Sequence, residues 1–163
     1  MDKILFRKIE KVEYEILEDL LYELIYQEDQ NNLIPREIVN SPEVRLYIDK
    51  FGERRDDCCL VAEINRKIAG AVWARVLSGK HKGIGQVDNQ TPELSISLFK
   101  EYRGKGIGTH LMKEMLGLLK AKGYPQASLG VQKNNYAINL YKKLGFKVIQ
   151  KDQEGYVMLL KLR

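Results

Sequence analysis

The chain has 163 residues, 44% hydrophobic and 30% charged, with a net charge of +5. This length supports one domain with a proper core and is too short for two of ordinary size, so residues 1–163 are read as a single domain. No apolar run approaches the ~20 residues of a membrane span, and Met1 to Glu15 lacks the hydrophobic region of a signal peptide, so no membrane partner and a cytoplasmic location are expected.

The excess of basic residues is spread along the chain, and no basic run interleaves with aromatics as a stacking platform does. A solvated basic surface is therefore expected rather than a nucleic-acid partner. Cys58 and Cys59 are adjacent in a predicted strand and point to opposite faces, a poor geometry for a disulfide or a metal. His81 and His110 have no ligand spacing around them, so no metal is expected.

Ile4 to Val12 alternates weakly and reads as an opening strand. Tyr14 to Gln27 reads as a helix with an apolar stripe of Ile16, Leu17, Leu20, Leu21 and Leu24. Its other positions carry Glu13, Glu15, Glu18, Asp19 and Glu23, followed by Glu28 and Asp29, either a solvated face or an acidic lip. Asn31 to Pro35 breaks the helix. Ser41-Pro42-Glu43 starts another, expected to run to about Phe51 and end at Gly52. Cys58 to Ile64 and Lys67 to Leu77 read as strands joined at Asn65-Arg66, with Trp73 a core residue, and Ser78 to Pro92 reads as a loop.

From Glu93 the pattern sharpens. Leu94, Ile96 and Leu98 alternate with Glu93, Ser95, Ser97 and Phe99 as a strand with one apolar face. Arg103-Gly104-Lys105-Gly106-Ile107-Gly108 follows, then Leu111, Met112, Met115, Leu116 and Leu119 at helical spacing, with Gly123 at the C-terminus. Glycines at alternate positions permit a tight turn and leave the amides uncovered, and the helix directs unpaired N–H groups and the positive end of its dipole at that turn. The arrangement suits a phosphate or pyrophosphate, or else is simply a tight strand–helix connection. It is no dinucleotide fingerprint, because the spacing is G-x-G-x-G and the next strand carries no acid; nor is it a P-loop, because no Gly-Lys-Ser or Gly-Lys-Thr occurs.

Ala127 to Gln132 is the next strand and Tyr136 to Leu144 a short helix closed by Gly145. Phe146 to Gln150 and Tyr156 to Leu162 form a final hairpin. The order β-α-α-β-β-β-α-β-α-β-β predicts an α/β domain with a mixed sheet flanked by helices.

Arg103-x-x-Gly106-x-Gly108 after a strand resembles the acyl-CoA signature [RQ]-x-x-G-x-[GA] of the GNAT superfamily of N-acyltransferases. Asn134-x-x-Ala137-x-x-Leu140-Tyr141-x-x-x-Gly145-Phe146 is similar to that family's second block, and the resemblance spans roughly Asp57 to the C-terminus. It implies a GNAT-like fold and acetyl-CoA as acyl donor. The pyrophosphate would be held by Arg103, Gly104, Lys105, Gly106, Ile107, Gly108 and Thr109, and the pantetheine arm by the backbone of Leu98, Phe99 and Lys100, with Asn134 also on that arm.

It further implies Tyr141 as the acid that meets the leaving thiolate. Glu93, at a position where several family members carry an acid, is either the base, directly or through a water held by Ser95 and Ser97, or an exposed strand-end residue. The acceptor implied is a small-molecule or peptide amine, attacked directly in a ternary complex, and the resemblance also allows a homodimer. The alternative is a non-catalytic acyl-CoA sensor on the same fold.

Overall fold

Seven extended segments form a seven-stranded sheet, and helices cover both of its faces. A computed structural model of the protein describes residues 2–27 and 29–163. In chain order the elements are β1 (Ile4–Lys8), α1 (Ile16–Leu24), α2 (Pro42–Arg45), β2 (Cys58–Ile64), β3 (Lys67–Arg75), β4 (Glu93–Leu98), α3 (Ile107–Ala121), β5 (Gln126–Gln132), α4 (Ile138–Lys143), β6 (Lys147–Lys151) and β7 (Gly155–Lys161). This is the expected order. The strands lie β1-β2-β3-β4-β5-β7-β6, antiparallel throughout except for β4 and β5. That parallel pair is in register only at Glu93↔Ser128, so the two strands part beyond that point.

The faces divide the core. On one, Leu94, Leu129 and Val131 of the sheet pack with Ile107, Leu111, Met112, Met115 and Leu119 of α3 and with Tyr141 and Phe146. On the other, Val61, Ala71 and Trp73 pack with Leu17, Leu20 and Leu21 of α1 and with Tyr47, Ile48 and Phe51. Cys58 and Cys59 fall on opposite faces, both buried and free. Trp73 is a core residue, as expected.

Helix α2 is shorter than its sequence suggests. Regular helix ends at Arg45, and turns carry the chain on to Phe51. The cause lies on β3: Arg75 donates to the Leu46 carbonyl at 3.0 Å and Trp73 Nε1 to the Tyr47 carbonyl at 3.1 Å. These acceptors are thereby engaged from the side by buried donors. Lys50 and Gly52 then take positive φ, which a helix does not accommodate. Arg75 is itself 1% exposed and forms a two-pronged pair with Asp57, both N···O distances 2.9 Å. A buried charge needs such a partner.

Candidate active site

The turn before α3 has the shape its glycines require. Gly104 and Gly106 adopt φ of +74° and +83°, and a Cβ at either would meet no protein atom within 4 Å. The first helical bond at this end is His110 N–H to Gly106 O at 3.2 Å. The amides of Gly104 to Thr109 therefore find no acceptor among the described residues. Ile107 is buried and contributes only its amide, whereas Thr109 is half-buried in the first turn. At Gly108 a Cβ would make ordinary contact with the Ile96 and Leu98 side chains, at 3.6 and 3.7 Å, so packing does not itself require glycine there.

Arg103 braces the turn. Its Nε donates to the Leu98 carbonyl at 2.9 Å and its guanidinium pairs with Glu23 at 3.0 Å, tying the turn to the end of α1. Lys105 is exposed, and Lys100 reaches Gln30 at 3.2 Å. Phe99 donates its N–H to Ala69 of β3 at 3.0 Å. Alternate residues of an antiparallel strand turn their backbone groups to opposite edges, so Ile96 and Leu98, not Phe99, face the parting from β5, with the Leu98 carbonyl already accepting from Arg103. Asn134 sits in the left-handed region (φ +72°) where β5 leads toward α4, a conformation that asparagine tolerates.

Tyr141 and Glu93 belong to opposite faces of the sheet. Tyr141 is 8% exposed, its ring edge-on to Phe146 at 6.2 Å, and burial pushes its hydroxyl up to about 12. Glu93 is 4% exposed, so the solvent-exposed alternative does not hold. Burial pushes its carboxyl up to about 7, against the downward pull of the Gly85 N–H and the Tyr47 hydroxyl. Its Oε2 accepts the Gly85 N–H at 3.0 Å, whereas Oε1 is buried with no partner at hydrogen-bond distance. Ser97 and Ser128, buried on the same face, also have unpartnered hydroxyls. Tyr47, Gly83 and Gly85 enclose this carboxyl and were not singled out by sequence. Two glycines one residue apart in the loop were the available signal.

Four acidic residues of the first helix region are matched by arginines, whereas Glu15 and Asp29 are exposed with no ion pair among the described residues. Glu13 pairs with Arg7 at 2.8 Å, Glu23 with Arg103, Glu18 lies 3.7 Å from Arg45, and Asp19 pairs with Arg36. Glu28 lies outside the described residues. The acidic surface is thus compensated in part, at Glu13, Glu18, Asp19 and Glu23. Among the described residues no His, Cys, Asp or Glu group is placed to hold a metal, and no helix is long and apolar enough to cross a membrane.

Residues 19–146 match the profile of the Acetyltransferase (GNAT) family. The chain belongs to this family. An N-alpha-acetyltransferase of Sulfurisphaera tokodaii is 33% identical over 94 residues, 55% of this chain and 56% of that protein, so the chain spans little more than half the length of that relative. The paia N-acetyltransferase of Thermoplasma acidophilum, solved in complex with coenzyme A, is 24% identical with a TM-score of 0.70, covering 98% of this chain and 99% of its own. A GNAT-family acetyltransferase from Streptococcus pneumoniae has the same identity and coverage, with a TM-score of 0.68. The GNAT fold thus extends over nearly the whole chain.

Proposed function

We propose that this GNAT protein is an N-acetyltransferase that transfers an acetyl group from acetyl-CoA to a primary amine, by direct attack in a ternary complex. The reading is carried by the run of unengaged amides from Gly104 to Thr109 at the N-terminus of α3, beside the place where β4 and β5 part. Six such donors with a helix dipole behind them suit a pyrophosphate. The backbone edge at Ile96 and Leu98 suits an extended amide-bearing arm. The GNAT relatives named above support the donor and the reaction class.

Acetyl-CoA, when bound, supplies an activated thioester carbonyl. An alkylammonium acceptor has a pKa of about 10, so a group must remove its proton before nitrogen can attack. Glu93, poised near neutrality, takes that proton, through water because the carboxyl is enclosed. As the N–C bond forms and the C–S bond breaks, charge moves to sulfur. Tyr141 has a hydroxyl pushed well above the thiol value of about 8.5, so complete proton transfer from it is uphill. It acts instead as a hydrogen-bond donor to the departing thiolate, which then takes a proton from solvent.

The test is thiol release from acetyl-CoA against a panel of amines. Tight CoA binding with no thiol release for any amine selects the sensor. The turn has its own test. A methyl at Gly106 meets no protein atom, so Gly106→Ala should remain folded despite a left-handed penalty of about 1–2 kcal/mol. Its CoA affinity should nonetheless fall by roughly tenfold or more, a cost of about 1.4 kcal/mol. Gly117→Ala, also facing open space but at an ordinary helical position, is the control and should bind CoA as the wild type does. Equal affinity in both variants removes the turn from the binding site.

A further inference from the structure

The loop across Glu93 is held from a second direction. A Cβ at Gly83 would stand 2.2 Å from Glu93 Oε1, and one at Gly85 would stand 2.3 Å from the Gly130 nitrogen of β5. Glycine at both positions lets the strap lie flat on the carboxyl and on the neighbouring strand. Between them, the Ile84 N–H donates to the Tyr47 hydroxyl oxygen at 2.7 Å. That bond uses a lone pair of the phenol and leaves its proton to donate. The Glu93 carboxyl lies beneath the same strap, and Oε1 is its oxygen without a donor.

Tyr47 is itself immobilised. It is 7% exposed, its own carbonyl is held by Trp73 and the preceding carbonyl by Arg75. These two bonds come at the point where α2 gives up its helical form, and they fix the backbone from which the phenol reaches the strap.

We infer that Tyr47 is the positioning residue of Glu93, its hydroxyl pinning the Gly83–Gly85 strap over the carboxyl and turning its own proton to the unpartnered Oε1 when Glu93 ionises. The other groups around the carboxyl do not duplicate this. Arg75 stands opposite Glu93 in the β3–β4 register, but its guanidinium is committed to Asp57 and Leu46. Ser128 on β5 and Ser95 on β4 share the face and do not titrate. Gly83 and Gly85 bring only backbone, and Gly85 serves Oε2. In the structure only Oε2 has a donor; a proton turned to Oε1 by Tyr47 when Glu93 ionises completes the set and offsets part of the cost of enclosing a carboxylate.

The inference rests on the acyltransferase reading only for its catalytic consequence, so the deciding measurement needs no turnover. In protein labelled with carbon-13 at glutamate carboxyls, the Glu93 signal is identified by its loss in Glu93→Gln and then titrated. Tyr47→Phe should move the midpoint upward by about one pH unit, the size of one charge-assisted hydrogen bond. Fluorotyrosine at position 47, a stronger donor that leaves no void, should move it downward and keeps the test available if Tyr47→Phe folds poorly. An unchanged midpoint in both, or a lower one in Tyr47→Phe, overturns the inference. Where Glu93 is the base, the acid limb of the pH–rate profile moves with the midpoint. A midpoint shift with a stationary limb supports the positioning role and refutes the base assignment.

Discussion

Tyr141→Phe is expected to lower the single-turnover rate of amine acetylation by roughly 10²- to 10³-fold, the usual cost of losing one donor aimed at developing charge. CoA affinity and melting temperature should stay close to those of the wild type. The reason lies in the division of labour within the side chain. The ring packs against Phe146 and the α3 face of the core, and phenylalanine keeps all of that surface. The hydroxyl has no hydrogen-bond partner among the described residues, so its removal leaves no stranded protein group. In the proposed mechanism its interaction is made only with the departing sulfur, and such losses fall equally on kcat and kcat/KM when chemistry limits the rate. A hydroxyl held at about 12 stays protonated across the working pH range, so the defect should be independent of pH. A wild-type single-turnover rate in the mutant would reduce Tyr141 to a packing residue.

The parts of this site that were legible in the sequence are those written in local spacing. Arg103 to Gly108 needs positive φ at Gly104 and Gly106, and only glycine takes those angles readily, so the turn announces itself. The helix behind it is legible because Ile107, Leu111, Met112, Met115 and Leu119 recur with the helical period and are the residues that are buried. The environment of Glu93 was not legible. A glutamate opening a strand looks the same in sequence whether it meets water or a closed loop. Here the enclosure comes from Gly85, eight residues back, and from Tyr47, which reaches the loop across 37 residues. The end of α2 was hidden for the same reason: serine and proline mark its start locally, but the donors that interrupt it sit 26 and 29 residues downstream. The acidic character of α1 was visible but its ion pairs were not, because the arginines that match Glu13, Glu18, Asp19 and Glu23 come from β1, the α1–β2 segment and the α3 turn.

The second large effect is expected at Glu93, where activity and stability should move in opposite directions. Glu93→Gln keeps the shape and an acceptor for the Gly85 N–H, but it cannot take a proton from the amine. Near and above pH 7 the rate should fall by roughly 10²- to 10⁴-fold, the usual contribution of a positioned general base. Wild-type activity should rise with pH through a limb at about 7, as Glu93 ionises, and that limb should be missing from the mutant. Stability follows from the same displacement. Burial raises this carboxyl from 4.5 to about 7, so between those values the folded protein holds a proton that the unfolded chain has released. Folding therefore becomes less favourable as pH climbs through that window and levels off above it. A rise of about 2.5 at about 1.4 kcal/mol each makes the loss on the order of 3 kcal/mol. Glutamine does not titrate, so the mutant should escape this loss and gain on the wild type between pH 4.5 and 8 in urea midpoints. Such a trade of stability for a poised group is common at active sites. A mutant slowed equally at every pH, with no relative gain in stability at pH 8, would show that Glu93 is a buried packing residue rather than the base.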